Sequence, residues 1–378
     1  METMEPSAHT PPVFDVVAPL SDPMKTCFCE VILGAGNQNN PGNNCKTSRI
    51  NEAVSGKPFA GEPFRMYDRE IMVPKAVPPQ LDLTVRVGCS LAYEVTGTAS
   101  LLLNVRPRPD SQHHVIAEAL TLGDNLPAEE FADSHGNRCY RVALAKGSNF
   151  FRHDAIVAVS SKPDNHHLGN ATALAPGELP PAVLRYTLPS RYCDSDKLVN
   201  FAWEKFGKVE HGWPRVQAIS QWVHDNIEYR YLSGRADLSA WDVLQRGYGV
   251  CRDFAHLAIA LNRTFNVPAR YVTGHLPDIG FPDPEGHMDF HAYAEVYLGG
   301  SWFTTDARFH VPRIGRIMVS CGLDAVDGAF STIYGGANLT YFEVWAYQVA
   351  RGSVGVGDPL DLSLRLDNQW AVQLDPHC

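Results

Sequence analysis

The stretch His291-Ala292-Tyr293-Ala294-Glu295-Val296-Tyr297-Leu298-Gly299-Gly300-Ser301-Trp302-Phe303-Thr304-Thr305-Asp306 decides how this chain is read. It begins with an alternating strand pattern, turns at Gly299-Gly300 and returns as Trp302 to Asp306. A two-residue loop at the glycines pairs 298 with 301 and 293 with 306, and a four-residue loop from 298 to 301 gives the same register. His291, Tyr293 and Asp306 then share one face, with His291 and Asp306 as diagonal neighbours roughly 7–8 Å apart at the backbone, within side-chain reach. A three-residue loop without a bulge would carry Asp306 to the other face.

Upstream lies Leu244-Gln245-Arg246-Gly247-Tyr248-Gly249-Val250-Cys251-Arg252-Asp253-Phe254. Two glycines permit a tight turn before Cys251. Phe254, Leu257, Ala258 and Leu261 follow at helical spacing, which predicts a helix with Cys251 at its head and one buried face. The positive end of the helix dipole stabilises a thiolate there. The N–H groups at the start of that helix, that of Cys251 included, can serve an oxyanion. The bland alternative is an inert packing cysteine, since free Cys is commonly buried. A cysteine, an imidazole and an orienting carboxylate together form the set that nucleophilic acyl transfer requires. Cys251, His291 and Asp306 are therefore the candidate catalytic residues.

Other histidines compete for the base role. His256 lies well round the helix from Cys251, His224 lies in the preceding helix, and His275, His287 and His310 flank loops without an obvious strand-borne acid, so all five read as polar surface residues. Zinc held by Cys251, His256 and His291 is a third reading, ranked below the thiol enzyme, and the expectation is no metal and no cofactor. Cys27, Cys29 and Cys45 lack a fourth ligand at clear spacing. Neighbours on a strand point to opposite faces, so His113-His114 and His166-His167 read as solvated loop or strand-end residues.

The whole chain has 378 residues, enough for two domains. Residues 1–76, rich in Pro, Gly and Asn, read as disordered or dispensable, with the functional chain starting near Met72. Residues 77–167 read as a β-rich domain, from the alternation at Leu81, Leu83, Val85 and Val87, then Leu101, Leu103 and Val105, and from the runs at 141–144 and 155–159. Gly136-Asn137 signals a turn. Residues 168–190 read as a Pro/Gly-rich linker, 191–345 as the catalytic core and 346–378 as a tail without an assignable role. A helix is expected from about 214 to 227, because Val216, Ile219, Ser220 and Val223 share a face. Residues 313–319 read as a loop into a strand, and 324–330 as a short helical turn.

Hydrophobic residues make up 44% and charged residues 20%, ordinary for a soluble protein. The net charge of −10, with no basic run, argues against nucleic acid or anionic lipid as a partner. No apolar run reaches 18 residues and no signal peptide is visible, so the expected address is the cytoplasm, with most of the nine cysteines reduced.

Four blocks carry a resemblance: Gly249 to Leu257, Val267-Pro268-Ala269-Arg270-Tyr271-Val272-Thr273-Gly274, Asp289 to Tyr297, and Asp306-Ala307-Arg308. In this order the chain resembles the bacterial transglutaminase-like superfamily over about residues 195 to 310, and the preceding β-rich segment is similar to the N-terminal domain common in bacterial members. The resemblance implies an α+β, papain-like core, a helix packed on an antiparallel sheet. It maps nucleophile, base and acid onto Cys251, His291 and Asp306. Many relatives follow the acid with Pro where this chain has Ala307. An aromatic upstream of the cysteine serves transglutaminases proper as a second oxyanion donor. Trp213, Tyr229, Tyr231 and Trp241 are the candidates, each also readable as core packing. No calcium loop is evident. The expected activity is a peptidase or amidase acting on a peptide, protein or other amide. The alternatives are a cross-linking transglutaminase and a binding module that retains the fold.

Overall fold

The computed structural model describes residues 30–33, 81–110, 112–123, 126–165, 171–281 and 288–367. Met72, Cys27, Cys29, Cys45, His166, His167, His287 and the end of the tail lie outside the described residues, as does the segment 1–76 apart from 30–33.

The larger sheet uses β1 (Glu30–Leu33), β2 (Leu83–Leu103), β3 (His113–Leu122), β4 (Ala128–Ala132), β5 (Arg138–Leu144) and β6 (Gly147–Val159). The alternating runs at 83–87 and 101–103, read separately from sequence, belong to one 21-residue strand, β2. Its first half pairs with β6 and its second half with β5, and β3 adds to the far edge of β6. Gly136, at a φ of 76°, makes the β4–β5 turn. His113 and His114 take opposite faces, as alternation demands, but His113 is buried and holds the Arg108 carbonyl at 3.0 Å.

Helices follow: α1 (Pro181–Leu184), α2 (Val199–Phe206), α3 (Trp213–Asn226), α4 (Ala240–Arg246) and α5 (Cys251–Arg263). A two-strand pairing of β7 (Glu228–Tyr229) with β8 (Tyr248–Gly249) leads into α5. The smaller sheet has the order β11-β10-β9-β12, all antiparallel, from β9 (Ala269–His275), β10 (His291–Leu298), β11 (Ser301–Thr305) and β12 (Ile317–Gly322). Helix α5 packs across β9 and β10. It is buried on every side rather than along the single face expected, because α3, α4 and α6 (Ala325–Gly328) also enclose this core.

The chain then returns to the larger sheet. Strand β13 (Ser331–Val349) inserts between β1 and β2, parallel to the first and antiparallel to the second. The expected core boundary at 345 therefore falls inside β13, and the β-rich region is completed by the far end of the chain. The segment beyond folds back as well. Arg86 on β2, fully buried, pairs with Asp154 at 2.8 Å and donates to the Pro359 carbonyl at 3.2 Å. That cover explains why Leu83 to Leu91 is buried nearly throughout instead of on one face. Val85, Val157, Ile279, Ile314 and Ile317 form a shared apolar cluster joining the two sheets.

Candidate active site

The ribbon forms in the register its glycines predict. Leu298 pairs with Ser301 and Ala294 with Thr305. Gly299 and Gly300, at φ of 54° and 93°, make the two-residue turn. Asp306 follows β11 directly, and the diagonal contact closes: His291 Nε2 donates to Asp306 Oδ2 at 2.7 Å. Both side chains are buried.

Asp306 accepts more than that bond. Its Oδ2 also takes Arg316 Nη2 at 2.8 Å, and its Oδ1 takes the Arg308 amide at 3.1 Å. Burial alone would raise its pKa, but His291 and Arg316 outweigh this and hold the carboxyl well below its ordinary range. Burial lowers the pKa of His291; Asp306 opposes that shift, while Arg316 and Arg313 add to it. The ring is stacked near Tyr293, with centroids at 6.2 Å, and lies tilted to Phe309 at 5.2 Å. With Nε2 committed to the carboxylate, Nδ1 is the nitrogen that can exchange a proton with a nucleophile.

Cys251 is the first residue of α5 and 5% exposed. Asp253 shapes that helix start. Its Oδ2 accepts from the Val250 amide at 3.0 Å, reaching back over the first turn, and from Arg246 at 2.6 Å. The turn between the helices is made by Gly247, at a φ of 70°.

Ring contacts join the head of α5 to the ribbon. Phe254, in the first turn of α5, lies 6.4 Å from Tyr229. The Arg308 guanidinium sits 3.7 Å over Tyr229 and 5.0 Å from Phe309, which contacts His291. Of the four aromatic oxyanion candidates, Tyr229 is in this chain of contacts. Trp213 packs on Phe303, the Trp241 amide bonds to Asp194, and Tyr231 is 53% exposed.

The surface reading of the other histidines fails for two of them. His256 and His275 are buried. His256 stacks on Tyr192 and meets Tyr271 at a tilt, both with centroids at 5.0 Å, and its Nε2 accepts from the Ala325 amide. It behaves as an aromatic core residue with one acceptor, and desolvation keeps it neutral. That commitment removes it from the zinc set considered with Cys251 and His291. No group of three or more metal-type side chains is assembled among the described residues. His224 is exposed. Its Nδ1 donates to the Arg308 carbonyl at 3.2 Å, and its ring lies 5.9 Å from His310.

Sequence reasoning missed Arg316, Asp164 and Phe309. Arg316 was visible only as part of a loop entering β12, and Asp164 lies 142 positions before Asp306 in the chain, so neither carried a local signal.

The fold and this ribbon define a transglutaminase-like α+β protein. The model of the transglutaminase-like superfamily matches residues 201–307, and the chain belongs to that superfamily. A crystal structure described as a candidate cysteine protease from Cytophaga hutchinsonii is 30% identical, with a TM-score of 0.64, covering 72% of this chain and 93% of that one. Uncharacterized protein ML0607 of Mycobacterium leprae is 28% identical over 162 residues, 41% of this chain and 57% of that protein. Uncharacterized protein Rv2569c of Mycobacterium tuberculosis is 28% identical over 206 residues, half of this chain and 65% of that protein. The chain thus spans less than two thirds of these curated relatives. Among the described residues no helix is long and apolar enough to cross a membrane.

Proposed function

We propose that the protein is a cysteine-nucleophile acyl-transfer enzyme, a peptidase or amidase that forms a thioester from an amide substrate. The observation that carries the reading is the 2.7 Å His291–Asp306 bond at the mouth of a ribbon packed against the helix that begins with Cys251. The thiol passes its proton to His291, and the sulfur attacks the amide carbon. As the C–S bond forms and the C–N bond breaks, His291 gives that proton to the leaving amine. Water, deprotonated by His291, then releases the acid and restores the thiol. Asp306 holds the ring and balances the imidazolium charge. The likeness to the Cytophaga hutchinsonii protein, described as a candidate cysteine protease, supports the same reading.

Trapping tests this. Protein is incubated with a peptide library, quenched in acid and digested, and the Cys251 peptide is examined by mass. An acyl group on Cys251, absent from the His291→Gln variant and released faster by water than by added primary amine, supports the hydrolase. Release dominated by amine supports the cross-linking alternative. No adduct on Cys251 across the library refutes acyl transfer.

A further inference from the structure

The segment that leaves β6 reaches into the site through two consecutive residues. Asp164 Oδ2 accepts from Arg316 Nε at 2.7 Å and from the Arg313 amide at 3.0 Å. Arg316 Nη2 then donates to Asp306 Oδ2, the oxygen that also takes His291. The guanidinium lies 4.6 Å over the Tyr293 ring. The next residue, Asn165, grips the edge of β11: its Nδ2 donates to the Thr304 carbonyl at 2.8 Å and its Oδ1 accepts the Thr304 amide at 3.0 Å. Thr304 is two residues before Asp306.

We propose that Asp164, Arg316 and Asn165 are positioning residues for the His291–Asp306 pair, supplied by the connection out of the larger sheet. The inference rests on the acyl-transfer reading for its kinetic consequences. Three donors converge on Asp306, which leaves its carboxylate little rotational freedom. Charge makes a second contribution. Asp306 and Arg316 alone would sum to zero, so an imidazolium on His291 would lack a buried counter-charge. Asp164 restores one net negative charge to the group.

Several groups among the described residues face this cluster. Arg313 is itself paired with Asp278 at 2.7 Å. Tyr293 stacks beside His291, and the His310 amide binds the Asp306 carbonyl at 2.7 Å. Cys251 heads the helix packed on β10.

The test follows the His291 imidazole by NMR against pH in a Cys251→Ala background, where the thiol at the head of α5 is removed, for the parent, Asp164→Asn and Arg316→Met. The same two changes are assayed for turnover with Cys251 intact, beside Arg316→Lys and Asn165→Ala. The His291 midpoint falls in Asp164→Asn and rises in Arg316→Met. In both, kcat drops about 10- to 100-fold with KM little changed, the scale of a small misplacement of a catalytic group. Arg316→Lys recovers part of that loss, and Asn165→Ala lowers kcat without moving the midpoint. If Arg316→Met fails to fold, with Asp306 and Asp164 deprived of their shared cation, Asp164→Asn carries the test, because it keeps the Arg316–Asp306 pair. A midpoint unmoved in Asp164→Asn, or one moving in the same direction in both variants, overturns the assignment. An inactive wild-type protein with midpoints that move as stated would sink the acyl-transfer reading and leave the Arg316 assignment standing.

Discussion

Asp253 fills the space that a side chain at Gly249 would need: a Cβ there would fall 2.6 Å from the Asp253 Cβ. The carboxylate so placed bonds the Val250 amide and Arg246 across the start of α5. Gly249→Ala therefore has to displace the group that closes the helix start. The expected cost is about 1–3 kcal/mol, that of leaving buried polar partners unmet. Cys251 should also alkylate more slowly in this variant. Chemical denaturation and timed iodoacetamide labelling check both outcomes; unchanged stability would contradict the role given to Asp253.

Asp306→Asn removes the charge that fixes the His291 ring while keeping the shape. Turnover should fall by about 10³–10⁴, as when a triad acid is neutralised, with a small change in KM. Circular dichroism should show an intact fold. Turnover within a few fold of the parent would mean that another residue orients the base.

Acid should destabilise this protein before its carboxylates begin to titrate. Burial pushes His275 down from an ordinary 6.5 to about 3, and lowers His153 and His256 too. Above the ordinary value these rings are neutral in both folded and unfolded chains, and pH has no effect through them. Below it the unfolded chain takes up protons that the folded chain refuses, so stability falls from about pH 6.5 toward 3. For His275 the full loss is on the order of 5 kcal/mol. The depressed Asp306 acts in the same direction at lower pH: its contribution is complete above the ordinary carboxylate range and is lost as pH drops below it. Among the described residues neither ring nitrogen of His275 has a hydrogen-bond partner, so His275→Leu sacrifices no bond to them. Melting curves from pH 7 to 4 should show a shallower decline in His275→Leu than in the parent. Parallel declines would refute this assignment.

Local patterns carried the site and long-range pairing hid its support. Gly299-Gly300 fixed the ribbon register, and with it the meeting of His291 and Asp306, because a strand alternates every two residues and the turn leaves one alignment. The helix start at Cys251 was legible from its two glycines and the apolar spacing behind them. Strand β13 was not assigned to the larger sheet, since its partner β2 lies more than 200 positions earlier and both strands look ordinary in isolation. Burial of His256 was likewise invisible: the rings that enclose it, Tyr192 and Tyr271, come from elements on either side of α5 in the chain. Arg316 and Asp164 meet only because the two sheets share an apolar seam.

The most direct measurement is the rate of Cys251 alkylation by iodoacetamide as a function of pH, in the parent and in His291→Gln. Cys89, Cys139, Cys193 and Cys321 are internal references, since burial pushes Cys89 and Cys139 up to about 12 and raises the other two. A sulfur paired with an imidazolium should react faster than these and keep a plateau of reactivity on the acid side of an ordinary thiol titration, and His291→Gln should abolish that plateau. A single ordinary titration at Cys251, unchanged by His291→Gln, would show that sulfur and imidazole are not coupled and would contradict the account.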